Sequence, residues 1–292
     1  MFELIQAAKD TFYLQSPAKI GIWRQTETDV YLIDSGNDKD AGRKVRQILE
    51  QNRWRLKGIL NTHSNADHIG GNSYLQGKTG CPAFLPDAEA ALTRHPLLEP
   101  TILFGAYPFR DLQGKFLMAA PSPARDLCDP AFPKEIEVIP LPGHFIDMVG
   151  YRTPDNAVFL ADCVASEATM EKYGITFLFD IAGQLKTLDF VEQMDAAVFI
   201  PAHAEACADI RPLVRKNRGK TLEIADKLLS LCQNPVSFED VLQQVFFHYQ
   251  LTMNAMQYAL VGSTVRSYLS WLLDTGRLTV AYDDNRMRWQ RA

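Results

Sequence analysis

Residues 62–71 read Thr62-His63-Ser64-Asn65-Ala66-Asp67-His68-Ile69-Gly70-Gly71, and between positions 63 and 68 stand four side chains able to ligate a metal: His63, Asn65, Asp67 and His68. The stretch follows the apolar run Gly58-Ile59-Leu60, which reads as a buried strand ending where the chain turns polar. A strand end followed by a tight loop projects imidazoles and a carboxylate into one cavity. Gly70 and Gly71 allow the backbone to pass closely before the next helix.

The same arrangement recurs downstream. His144, in Leu141-Pro142-Gly143-His144, follows the strand-like Glu137-Val138-Ile139. Asp162 ends the apolar run Ala157-Val158-Phe159-Leu160-Ala161, and His203, in Pro201-Ala202-His203, ends Ala197-Val198-Phe199-Ile200. A lone histidine is usually a satisfied core or surface residue. Four of the six histidines at predicted strand ends, interleaved with carboxylates, instead match the donor chemistry of a metal site. The other two, His95 before Pro96 and His248 among Phe246, Phe247 and Tyr249, read as structural.

Taken in order, these segments resemble the metallo-β-lactamase fold superfamily, whose usual signature H-x-H-x-D-H is met here with Asn65 in place of its second histidine. Val30-Tyr31-Leu32-Ile33-Asp34-Ser35-Gly36 is similar to the opening strand and structural aspartate of that family, so the resemblance spans roughly residues 18 to 210. It implies an α/β fold, the αββα sandwich, with metals at one edge between two sheets. It also implies a ligand set: His63, Asn65 and His144 at one site, Asp67, His68 and His203 at the other, and Asp162 bridging. The implied cofactor is zinc, one or two ions, with iron or manganese as alternatives. The implied activity is hydrolysis of a small ester, thioester or phosphodiester by a water that the metal activates as hydroxide. Asp67 is then the catalytic residue, orienting that water or taking its proton.

Asn65 is the departure that matters. An amide oxygen is a neutral ligand, weaker than imidazole for zinc. The first site then retains His63, His144 and Asp162 as strong donors, and three outcomes are open: two metals with an adapted first site, one metal at the Asp67, His68, His203 site, or one iron at His63, His144 and Asp162. The last grouping, two histidines and a carboxylate, belongs to non-haem iron oxygen chemistry and resembles the single-iron persulfide dioxygenases of the same fold. The completeness of the second site favours the hydrolase. A nucleic-acid-processing hydrolase and a non-enzymatic metal sensor are further alternatives.

The chain has 292 residues, 47% of them hydrophobic and 22% charged, which suits a sizeable globular core with a second small unit. Glu3, Lys9 and Asp10 interrupt the opening segment, so no secretory signal is expected, and no apolar run approaches a membrane span. Five cysteines without a C-x-x-C pair point to a reducing cytoplasm. Cys163, beside Asp162, reads either as an additional soft ligand or reactive thiol, or as a small buried residue at a strand end.

Charge divides the chain. Residues 1–210 carry a balance of −9 and residues 211–292 one of +4, so we assign 1–210 to the metal-binding unit and 211–292 to a separate C-terminal domain. That domain reads as a helix over 221–231, a second helix opened by Ser237, a longer helix ending near Asp274-Thr275-Gly276, and a hairpin of 278–282 with 286–289. This order resembles a winged helix. The basic residues between Arg211 and Lys220 fit either phosphate contacts or a solvated interdomain helix. An acidic catalytic unit would repel a polyanion, so a small-molecule partner is expected ahead of nucleic acid. Oligomerisation is left open.

The proline-rich stretch 81–133 is too long for a plain connector and is expected to shape the pocket. Its Phe104, Tyr107, Phe109 and Phe116 read either as an apolar wall or as staples that hold the insert down.

Overall fold

The computed structural model describes residues 2–292. The first sheet has seven strands in chain order: β1 (Glu3–Gln6), β2 (Thr11–Gln15), β3 (Ile20–Arg24), β4 (Asp29–Ile33), β5 (Arg55–Leu60), β6 (Ala83–Leu85) and β7 (Arg125–Asp126). The second has four, β8 (Glu137–Pro140), β9 (Val149–Arg152), β10 (Ala157–Ala161) and β11 (Val198–Pro201), in the order β11-β10-β9-β8. Tyr13, Trp23, Tyr31 and Phe84 from the first sheet meet Val149, Tyr151, Phe159 and Ile200 from the second in one apolar layer. Truncating a buried aromatic there would cost about 3–5 kcal/mol.

Helices cover both outer faces. In α1 (Lys39–Gln51), Ala41, Val45 and Leu49 recur at helical spacing and are buried against the first sheet, together with Leu75 of α3 (Asn72–Thr79), which follows the single turn α2 (Ala66–Ile69). Asp38 opens α1 by accepting hydrogen bonds from the amides of Asp40 and Ala41 at 2.9 and 3.0 Å, which starts the helix at Lys39. The second sheet's outer face is covered by a later helix carrying Leu188 and Val191 and by Val214. The expected αββα layering is present.

Strand direction explains where the ligand candidates gather. β4, β5, β6 and β7 are parallel, as are β10 and β11, and β8 runs with β10 because β9 is antiparallel to both. The C-terminal ends of β4, β5, β8, β10 and β11 therefore share one edge, and Asp34, the 62–68 loop, His144, Asp162 and His203 follow those ends directly.

Residues 81–133 are more ordered than their proline content suggests. They form β6, α4 (Asp87–Arg94), α5 (Leu98–Phe104) and β7. Pro86 sits at the N-cap of α4 and Pro100 in the first turn of α5, where a missing N–H costs nothing.

The C-terminal part holds α8 (Arg211–Leu231), α9 (Phe238–His248), α10 (Ala255–Asp274) and the hairpin β12 (Leu278–Asp283) with β13 (Arg286–Arg291), after α6 (Glu167–Tyr173) and α7 (Ile181–Glu192). Ser237 caps α9 as expected. α8 begins ten residues before the expected helix start, with Pro212 in its first turn, so the basic cluster belongs to the same helix. Its charges are met by acidic groups: Arg218 pairs with Asp189 and Glu192 of α7 at 2.8 and 2.7 Å, Arg215 pairs with Glu192 at 2.6 Å, and Lys216 pairs with Glu167. Val214 packs on the second sheet's helical layer, whereas Ile224 and Leu228 of the same helix join Val245, Val265 and Tyr268. No helix of the described residues is long and apolar enough to cross a membrane.

Candidate metal centre

Two glycines set the backbone of the site. A Cβ at Gly71 would stand 2.4 Å from the carbonyl oxygen of Ser35, so only glycine lets the 62–71 loop lie against the chain that follows β4. Gly143, at φ +134°, would bring a Cβ within 2.4 Å of Gln184 Cα, and this tight passage delivers His144. Asp34 and Ala161 also take positive φ, 62° and 49°, without being glycine. Such conformations cost about 1–3 kcal/mol and persist where surrounding structure imposes them, here beside the site.

The four motif histidines are held alike: each has Nδ1 engaged and Nε2 directed towards the others. His63 Nδ1 lies 2.9 Å from the Thr62 hydroxyl, which itself donates to Asp34 Oδ2 at 2.9 Å and so must accept from the ring. His68 Nδ1 meets Asp34 Oδ2 at 2.8 Å, His144 Nδ1 the carbonyl of Phe177 at 3.1 Å, and His203 Nδ1 the carbonyl of Pro17 at 2.9 Å. Acceptors at every Nδ1 select the tautomer that leaves Nε2 available as a ligand.

The donor atoms form two groups: His63, His144 and Asp162 in one, Asp67, His68 and His203 in the other, with the ligand atoms of each within 4.8 Å of one another. Asp162 stands among histidines of both groups. Its Oδ1 is 3.2 Å from His68 Nε2, and its Oδ2 is 3.3 Å from His203 Nε2 and 3.6 Å from His144 Nε2. Asp67 Oδ2 is 3.2 Å from His203 Nε2. The residues suit a cation: His63 Nε2, His68 Nε2 and Asp162 Oδ1 are buried and lack any hydrogen-bond partner, leaving polar atoms that a metal in their midst would satisfy.

Proton occupancy follows the same charges. Burial, reinforced by His68, pushes His63 well below the ordinary histidine value, and burial likewise lowers His144. Burial also opposes a charge on His68, but the carboxylates of Asp162, Asp67 and Asp34 outweigh it and hold the ring well above that value. Asp162 raises His203 to about 10. Burial works to raise Asp67 and Asp162, and the facing imidazoles His68 and His203 override it and lower both. A metal must displace these protons to bind.

Asn65 is beside the first group, but its amide is engaged. Nδ2 lies 2.9 Å from Glu99 Oε1, and Oδ1 lies 3.1 Å from His144 Nε2. Because Nδ1 of His144 already donates to Phe177, that second contact needs either an imidazolium or an amide turned about so that its NH2 faces Nε2. Burial favours the neutral ring. It also raises the Glu99 carboxyl well above the usual range, so a protonated Glu99 facing the amide oxygen completes the turned arrangement.

Sequence reasoning missed Glu89 and Glu99. Glu89, on α4 and without solvent exposure, accepts from the Ser64 amide and hydroxyl at 2.9 and 2.6 Å and from the Asp147 amide at 3.0 Å, so it ties the 62–68 loop to the loop carrying His144. An acid within the Ala-Glu-Ala-Ala-Leu run of a short helix was the only local signal. Tyr151, also without exposure, donates to the Asn61 carbonyl at 2.7 Å and joins the sandwich core to the base of the same loop.

Cys163 is buried and burial raises its thiol, the small-residue outcome. His95 caps the end of α4 and His248 ends α9, outside both donor groups. Of the insert aromatics, Phe116 lines the cavity in front of the metal centre, Phe104 packs in the Leu103, Leu112 and Leu117 cluster with the Phe109 ring 5.4 Å away, and Tyr107 is largely exposed. The two expected roles are thus divided among them.

Comparison with known proteins agrees with this geometry. Residues 22–203 match the model of the metallo-beta-lactamase superfamily. A hydroxyacylglutathione hydrolase of Bradyrhizobium sp. (strain ORS 278) is 32% identical over 153 residues, 51% of this chain and 50% of that protein. Another, of Shewanella denitrificans, is 28% identical over 150 residues, 50% of this chain and 46% of that protein. The chain thus spans about half the length of the curated relatives it matches. A beta-lactamase domain protein of Burkholderia ambifaria superposes with a TM-score of 0.74 over 99% of this chain and 94% of that one at 17% identity, a likeness of fold alone. With its donor residues at the shared sheet edge and nearly two thirds of its length inside the matched region, the chain belongs to the metallo-beta-lactamase superfamily.

Proposed function

We propose that the protein is a binuclear metal-dependent hydrolase acting on a small thioester. The observation that carries this reading is the pair of donor groups with Asp162 between them, each offering three strong ligands. Bound there, a divalent metal such as zinc supplies Lewis acidity that acidifies water towards neutrality and polarises the substrate carbonyl. His63, His144 and Asp162 would hold one ion and Asp67, His68 and His203 the other, with Asp162 standing between the two groups. Asp67, the more exposed carboxylate, faces the cavity and is placed to orient the attacking water and receive its proton. Thr62, Asp34, Pro17 and Phe177 keep the imidazoles in the ligating tautomer. The names of the hydroxyacylglutathione hydrolases favour a thioester over an ester or phosphodiester.

A second reading has its own support. With Asn65 engaged by Glu99, the first group is two histidines and one carboxylate, a donor set suited to a single iron and oxygen chemistry. The C-terminal helices and hairpin follow the order of a winged helix, and in our reading this unit, from residue 211 onward, supplies a wall of the active site through α8 and α10. Elemental analysis of protein purified without added metal, followed by turnover on a thioester panel, tests both readings. Close to two zinc or manganese ions with thioester cleavage supports the hydrolase. A single iron with no cleavage moves the oxygenase reading ahead of it.

A further inference from the structure

In front of the metal centre lies a cavity of about 810 Å³, in the upper part of the usual range for small-molecule sites. The metal-binding side chains Asp67, His144, Asp162 and His203 form one wall. Apolar lining comes from three distant stretches: Leu103 and Leu117 of the insert, Met170, Ile175 and Leu178 around α6, and Ile224 and Val261 of α8 and α10. All seven are buried.

Polar groups deep in the cavity are occupied with one another. Thr221 donates to the Asn217 carbonyl, Asn217 bonds both the amide and the carbonyl of Ala165, Thr264 accepts from the Leu178 amide, and Gln184 Nε2 donates to the Cys163 carbonyl. One acceptor, Gln184 Oε1, remains unpaired. The buried part therefore offers mainly apolar surface, with Gln184 Oε1 and the Thr264 hydroxyl proton left free and Thr176 and Gln257 as further polar lining.

The mouth differs. The exposed Phe116 and Tyr173 each carry a lysine, with Lys115 Nζ 5.8 Å and Lys172 Nζ 4.7 Å from the ring centroids. Lys115 approaches Asp38 only at 3.8 Å, and Lys172 meets no carboxylate among the described residues.

We propose that the cavity selects thioesters with an extended apolar acyl group of about six or more carbons, whose anionic thiol portion remains at the lysine-lined mouth. This rests on the hydrolase reading above and narrows it. Burying each methylene is worth up to about fourfold in affinity, so discrimination against acetyl-sized or hydroxylated acyl groups grows with chain length.

The test separates the cavity from the chemistry. Calorimetry on the metal-loaded full chain compares S-octylglutathione with S-methylglutathione, thioethers that hydrolysis cannot cleave. The octyl ligand is expected to bind at least tenfold more tightly, and equal affinities overturn the proposal. Leu260→Trp, which narrows the cavity from α10, is expected to lower that ratio at least fivefold. Should it not fold, the smaller change Leu260→Phe reads the same ratio and should lower it, whereas an unchanged ratio in a folded variant overturns the assignment of this cavity. Lys172→Glu should weaken both thioethers by a common factor, and no weakening removes the anionic portion from the proposal. The thioesters S-acetyl-, S-butyryl- and S-octanoylglutathione then report turnover. Cleavage of all three with equal thioether affinities leaves the hydrolase reading standing and the cavity proposal refuted. Octyl preference without cleavage of any of them does the reverse.

Discussion

Asp34, just past β4, receives the Nδ1 proton of His68 at 2.8 Å, although the two residues are 34 positions apart. The same carboxylate takes the Thr62 hydroxyl and amide at 2.9 and 2.8 Å, so one buried acid orients His68 directly and His63 through Thr62. Asp34→Ala is therefore expected to weaken metal binding by about 10–100-fold while the fold is retained. Competition against a chelator measures it, and wild-type affinity in the variant would refute the orienting role.

Asn65→His removes the amide that faces Glu99 and supplies an imidazole at the first group. The expected result is a rise in metal content towards two ions per chain in protein purified without added metal, read by elemental analysis. Content unchanged from the parent would mean that Asn65 already ligates, or that Glu99 holds any residue at this position away from the metal.

Asp67→Ala deletes a second-group ligand and the proposed proton acceptor together. Loss of one ion per chain and a fall in kcat of about 10²–10⁴-fold are expected. Full metal content with a wild-type rate would dismiss both roles.

In metal-free protein the pH dependence has a definite sign. His203 is raised to about 10 from an ordinary 6.5 by Asp162, so the folded state binds its proton more tightly than the unfolded chain does. The stabilisation is complete below about pH 6.5 and disappears as the pH climbs towards 10. The melting temperature of chelator-treated protein should fall across that window, and His203→Gln should flatten the slope. An equal slope in the variant would assign the effect to other groups.

Glu89→Ala leaves the buried amide of Ser64 and the part-buried amide of Asp147 without their acceptor. Each such orphan costs about 1–3 kcal/mol, so a lower urea midpoint is expected, accompanied by weaker metal binding because the loops carrying His63 and His144 lose their common tie. Loss of stability with intact metal affinity would restrict Glu89 to a structural part.

The donor residues were legible because their signal is local. A polar residue with a ligating side chain directly past an apolar run recurs at His63, His144, Asp162 and His203, and a parallel sheet brings such ends to one edge. The cap at Ser237 and the terminal hairpin were legible for the same reason. Helix α8 was read too short because its basic first half does not display the apolar face that Val214 buries.

By itself the sequence determined the layered α/β fold and the residues able to ligate a metal, since strand periodicity, turn glycines and donor types are properties of a few neighbouring positions. Only the tertiary structure decided what those residues do for one another. The Asn65–Glu99 contact bridges 34 positions, Glu89 joins two ligand loops, and α10 helps wall a cavity whose metal donors begin at Asp67. Such relationships depend on how sheets and helices pack at close range, and burial then sets the cost of every unpaired polar atom they enclose.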